Sequence, residues 1–333
     1  MFRSKSNPIP LLACLLVLIA GPLHARGVGV RLLETREPTT GTTVAAAVLY
    51  PSDGAAPDAR SDFGPYPVAA QRDAAIASGK HPLILLSHGS GGGMFGHHDL
   101  AEALARHGYI VAAPEHAGDS FRDRSGLGTD RALLGRAWQA SATISAVLAD
   151  PRFKPHVDAS RIGAAGFSAG GYTALLLLGA KPDFSRFAVF CKKYPKTPDI
   201  CDQGLTGIAL TIAHPPATAD TRVRAGFAMA PLSLILDNSG LKAVHAPVFL
   251  YTGARDEVLL PEENARRIRP LLPNLDGYRE IEGAGHFVFV PPCSAALAQD
   301  APAICKDPPG VDRVAAHRRI NQDAVAFFDR TLK

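Results

Sequence analysis

Residues 161–179 read RIGAAGFSAGGYTALLLLG. An apolar run, Ile162 to Ala165, leads into Gly166-Phe167-Ser168-Ala169-Gly170, and a second apolar stretch follows. This order predicts a buried strand, a tight turn and a helix. Glycines two positions before and two after a serine suit a sharp strand-to-helix turn, where larger side chains would collide. Such a turn holds its serine in a sparsely allowed backbone conformation, at about 1–3 kcal/mol. The five letters alone are a weak motif. A serine that merely capped the helix would not need both glycines, so the surrounding sequence decides.

Working outward, the same alternation repeats. Pro82-Leu83-Ile84-Leu85-Leu86 is an apolar run ending in Ser87-His88-Gly89-Ser90-Gly91-Gly92-Gly93. An amphipathic segment over 99–107 precedes the run Tyr109-Ile110-Val111-Ala112-Ala113, and 130–148 reads as a longer helix. Beyond Ser168 the runs at 225–229, 247–251 and 278–281 predict further strands. Residues 262–272 and 311–332 predict helices. Two more strands are expected at 29–34 and 43–50, and 51–80 reads as loop. Continuous apolar runs alternating with helices predict an α/β fold with a mostly parallel central sheet, helices on both faces. Residues 182–222 interrupt the alternation and read as an inserted, cap-like segment. With 333 residues, one large domain over 26–333 is expected.

An alkoxide does not form readily at neutral pH, so Ser168 needs a base. His286 stands in the glycine-rich Gly283-Ala284-Gly285-His286-Phe287, just past the last expected strand. His317, beside two arginines on the final helix, reads as a surface residue, and His214 lies in the insertion. An acid should orient the imidazole. Asp256 follows the strand that ends at Tyr251, with Glu257 and Asp237 as alternatives. Two N–H donors should hold the oxyanion. They are expected from Ala169, next to the nucleophile, and from Ser90, with Gly91 as the fallback. The glycine-rich loop at 88–93 matches neither phosphate-binding pattern, and no metal or organic cofactor is expected. His97, His98 and His116 read as ordinary polar positions, His116 also as a pocket-lining candidate.

With the Ser87-His88-Gly89-Ser90 loop, Gly166-Phe167-Ser168-Ala169-Gly170, Asp256 and His286 assembled, the sequence resembles the α/β-hydrolase superfamily over nearly all of the chain past residue 25. The LSHGSGG loop is similar to that of the platelet-activating factor acetylhydrolases, which implies the Ser90 amide as an oxyanion donor. The overall layout resembles exported dienelactone hydrolase-like proteins. The resemblance implies a serine hydrolase that cleaves carboxylic esters through an acyl-enzyme. The first likeness points to acetyl or short-chain esters, the second to lactones or polyesters. A peptidase or acyltransferase is served by the same residues, and a binding protein is the non-enzyme alternative. The sequence departs from the acetylhydrolase motif at Phe167 and Ala169. It also departs from true dienelactone hydrolases, whose nucleophile is cysteine.

The remaining signals concern location. Arg3 and Lys5 precede an apolar stretch over 10–20, broken by Gly21-Pro22. That order predicts a signal peptide over 1–25. Cys14 sits inside the apolar stretch rather than at its end, which weighs against lipidation. Four cysteines remain in two local pairs, and an exported chain is expected to join Cys191 to Cys201 and Cys293 to Cys305. The formal net charge is only +4 with mixed signs, which gives no support for a nucleic-acid partner.

Overall fold

The computed structural model describes residues 27–56, 58–197, 200–201 and 208–332, together with Met1. The expected signal peptide, and Cys14 within it, lies outside the described residues.

The chain begins with an antiparallel pair, β1 (Gly27–Arg36) and β2 (Thr43–Ser52). The stretch expected as loop over 51–80 is not bare. A small hairpin forms from β3 (Ser61–Phe63) and β4 (Tyr66–Val68), and β5 (Gln71–Arg72) adds to the edge of β1. These pieces have two or three residues each, too short for any periodicity to show. The alternating part follows as β6 (His81–Ser87), α1 (His98–Arg106), β7 (Ile110–Pro114), α2 (Asp130–Ala149), β8 (Val157–Phe167) and α3 (Ala169–Leu177). Then come α4 (Ser185–Lys193), β9 (Val223–Met229), α5 (Asn238–Leu241), β10 (Val248–Gly253), α6 (Ala265–Ile268) and β11 (Leu275–Ile281). The short α7 (Ala295–Asp300) and α8 (Pro302–Cys305) lead to α9 (Arg313–Thr331). The helix expected over 262–272 shrinks to α6 and one 3₁₀ turn, because Pro270 interrupts it.

Among the described residues the main sheet runs in the order β11-β10-β9-β8-β6-β7-β2-β1-β5. All pairs from β11 through β7 are parallel. The period-2 alternation of side chains splits each strand between two cores. Leu83 and Leu85 pack with Ile144 and Leu175 on one face, whereas Ile84 and Leu86 pack with Phe167 and Phe328 on the other. Burial on both faces is why these strands read as unbroken apolar runs.

Parallel strands place their C-terminal ends side by side, and that edge is where an open α/β sheet carries its ligands. The loops after β6, β8, β10 and β11 hold the 88–93 glycine cluster, Ser168, Asp256 and His286 respectively. The described part of the insertion contributes α4, and Ala209 bridges to Thr129 at the start of α2. Asp130 fixes this approach, accepting from the Thr211 and Ile212 N–H groups at 2.9 and 3.1 Å.

Candidate active site

Ser168 joins β8 to α3 with φ 55° and ψ −118°, a left-handed backbone that a non-glycine residue rarely adopts. The turn closes so tightly that its glycines are obligatory. A Cβ on Gly166 would lie 2.3 Å from the Gly170 carbonyl, and one on Gly170 would lie 1.9 Å from the Ser87 carbonyl oxygen. The Ser168 N–H is tied to the Met229 carbonyl oxygen at 2.9 Å, which leaves the hydroxyl facing the strand edge.

His286 Nε2 lies 3.1 Å from Ser168 Oγ, and its Nδ1 lies 2.7 Å from Asp256 Oδ2. The other Asp256 oxygen accepts from the Val258 and Leu259 N–H groups at 3.0 and 2.7 Å. Both side chains are almost wholly buried. Glu257, the neighbouring alternative, is exposed, and its carboxylate accepts from the His286 N–H at 3.4 Å rather than from the imidazole. Asp237 instead caps α5, accepting from the Gly240 N–H. Phe167, a departure from the acetylhydrolase motif, packs its ring 4.7 Å from the His286 ring, centroid to centroid.

The loop after β6 is held from below by a buried polar cluster. Arg136, fully buried on α2, donates to Asp119 Oδ2 at 2.8 Å, to Ser87 Oγ at 3.2 Å and to the His88 carbonyl oxygen. Asp119 Oδ1 accepts in turn from Ser90 Oγ at 2.6 Å and from the Gly91 N–H at 3.0 Å. The Gly91 N–H is therefore spent on Asp119. The Ala169 N–H, first of a helix, has no acceptor within α3.

Two histidines complete the cluster. His88 accepts from the His116 N–H on Nε2 at 3.0 Å, so its Nδ1 carries the proton donated to the Gly89 carbonyl oxygen. His116 spans Ser87 Oγ at 2.8 Å and Gln139 Oε1 at 3.1 Å. Burial, and after it the Arg136 charge, pushes both imidazoles well below their ordinary pKa. His116 thus sits behind the strand end rather than in the pocket. Nothing local in the sequence signals this cluster, because its members come from three separate segments.

His317 also differs from its expected surface placement. It is buried, with Nδ1 2.7 Å from Asp99 Oδ2 and Nε2 2.9 Å from the Val288 carbonyl oxygen. Val288 belongs to the 3₁₀ turn that starts at His286, so α9 holds that turn in place.

Ser168, Gly89, Ser90 and His286 line a cavity of about 280 Å³. Its other walls are mostly apolar, with Leu133, Leu232, Val258, Leu259 and Phe287 among them. Cys191 is bonded to Cys201, and Cys293 to Cys305.

A family model described as the prolyl oligopeptidase family matches residues 99–281. The chain belongs to that family. The stretch that carries the membership includes Ser168 and Asp256 and stops short of His286. A second model, platelet-activating factor acetylhydrolase isoform II, matches residues 60–130, which include the His88-Gly89-Ser90 loop. Among solved structures the chain is similar to a ferulic acid esterase from Streptomyces cinnamoneus. The two are 21% identical, covering 94% of this chain and 92% of that one, with a TM-score of 0.63. It is also similar to a dienelactone hydrolase-like promiscuous phosphotriesterase from metagenomic libraries. Identity there is 16%, coverage 92% of this chain and all of that one, and the TM-score 0.56. These likenesses identify the fold as that of the α/β hydrolases. No curated protein sequence matches the chain.

Proposed function

We propose that this protein is a serine hydrolase of carboxylic esters. The observation that carries the reading is the hydrogen-bonded series Ser168–His286–Asp256 at one wall of an apolar cavity. Ser168 Oγ attacks the ester carbonyl while His286 Nε2 takes its proton. Asp256 fixes the imidazole through Nδ1 and stabilises the imidazolium that forms. The Ser90 and Ala169 amides receive the oxyanion, each such donor being worth roughly 10²–10³ in rate. His286 then protonates the departing alcohol, and water releases the acid from Ser168 by the same steps. No step calls on a metal or an organic cofactor.

The test is Ser168→Ala. Turnover of p-nitrophenyl acetate and covalent labelling by a fluorophosphonate probe should both disappear in folded protein. Unchanged turnover would refute the assignment.

The family match favours a second reading, in which the same residues cleave a peptide bond. Amide analogues of the ester substrates separate the two, since only a peptidase turns them over at comparable rates. The disulfides suit an oxidising compartment. No helix among the described residues is long and apolar enough to cross a membrane. The disulfides support export of one domain, residues 26–333, after removal of a leader over 1–25.

A further inference from the structure

Four cavity-lining residues, Phe187, Ile200, Ile208 and Ile304, come from outside the alternating strands and helices. Phe187 lies on α4, one helical turn before Cys191, and is fully buried. Ile200 immediately precedes Cys201, and the Cys191–Cys201 bond therefore ties the helix bearing Phe187 to the segment bearing Ile200. Ile304 immediately precedes Cys305, whose partner Cys293 follows the His286 turn. Arg313 fastens the same segment, donating to the Ile304 carbonyl oxygen at 2.8 Å and to Asp307 at 2.8 and 2.9 Å. Two disulfides from distant parts of the chain thus brace walls of one chamber, and that chamber reaches Ser168.

We propose that the chamber is the site of the acid part of the substrate, and that the enzyme prefers esters of medium-length or aromatic apolar acids over acetyl esters, with the two disulfides setting that preference. This rests on Ser168 being the nucleophile. The acid stays on Ser168 after the alcohol has left, with its carbonyl oxygen at the Ser90 and Ala169 amides, and all three residues border the chamber. His286, which protonates the alcohol, borders it too, and the alcohol series below separates the two. An acetyl group would leave the walls at Phe187, Ile200, Ile208 and Ile304 without a partner. A longer chain covers them, and each added methylene is expected to raise kcat/KM about fourfold while it stays inside.

The test compares p-nitrophenyl acetate, butyrate, hexanoate and octanoate, with an alkyl acetate series varying only the alcohol. Rising kcat/KM from acetate to hexanoate, with a shallow alcohol series, is expected. A flat or falling acyl series overturns the assignment, and so does a gain that follows the alcohol instead. The double variant Cys191→Ala/Cys201→Ala should reduce the hexanoate-to-acetate ratio at least threefold, and an unchanged ratio overturns the role of that disulfide. Ile304→Phe, which keeps both disulfides, should invert the ratio by filling the chamber, and an unaltered ratio there removes Ile304 from the acyl site. Fluorophosphonate labelling of Ser168 runs alongside. An unlabelled serine overturns the hydrolase reading and this inference together, an outcome distinct from a labelled enzyme with a flat acyl series.

Discussion

Ser168 carries backbone strain that its proposed chemistry explains. At φ 55° a glycine would be at ease, and only the hydroxyl justifies a side chain there. Ser168→Gly is therefore expected to abolish turnover and yet raise stability by about 1 kcal/mol, read as a higher urea midpoint at unchanged slope. A lower midpoint would show that Ser168 is not strained. The proposed serine, base and acid are legible in the sequence because each follows an apolar run, and strand ends are where a parallel sheet presents side chains. The proposed donor on the glycine loop reads as Ser90, with Gly91 as the fallback. What separates them is the Asp119 carboxylate, 28 residues away, which takes the Gly91 N–H. No local pattern carries that contact.

The loop after β6 depends on α2 for its shape. Arg136 and Asp119 face each other with almost no exposure and share Ser87, His88, Ser90 and Gly91 between them. Removing one charge from such a pair strands the other, at about 3–5 kcal/mol. Asp119→Asn should therefore lower the urea midpoint. In the protein that remains folded, it should cut kcat about 10²-fold with KM moved only a few-fold, because the Ser90 amide loses its support. A proportional rise in KM would instead mean that Asp119 shapes the substrate cavity. The sequence showed α2 as a helix but gave no hint that it carries a buried guanidinium. An arginine in a helical pattern normally reads as solvated, and only the packing of α2 under β6 makes it internal. His317 reads as a surface residue in the sequence for the same reason, yet it is buried. Its two arginine neighbours face outward while it turns in toward Asp99 and Val288.

Across the whole molecule, three buried histidines link stability to pH. Burial, with Arg136 next in weight, lowers His88 and His116 well below 6.5, and burial lowers His97 to about 4. The unfolded chain takes up protons at these positions near pH 6.5, whereas the native protein does not. The stability they contribute is present above pH 6.5 and falls as pH drops from 6.5 toward 4. The slope is about 1.4 kcal/mol per pH unit for each histidine. Urea midpoints measured between pH 7.5 and 4.5 should decline steadily below 6.5, and a constant midpoint over that range would contradict the neutral assignment. The order of strands and helices was readable at this scale from apolar runs alone. The small edge strands β3 to β5 were not, since two or three residues carry no period. The role of 182–222 was not readable either, because its residues contribute walls to a cavity rather than to the sheet.

The dependence of the His286 turn on α9 has a consequence for the order in which the protein becomes competent. Synthesis runs from the amino end, so the segments that bear Ser168 and its glycine loop are made well before His317. Until α9 arrives, the Val288 carbonyl lacks its imidazole partner, and the turn that bears His286 lacks one of its ties. A chain without α9 thus lacks one contact that seats the proposed base. On the proposed reading, competence of the site therefore waits for α9 to dock.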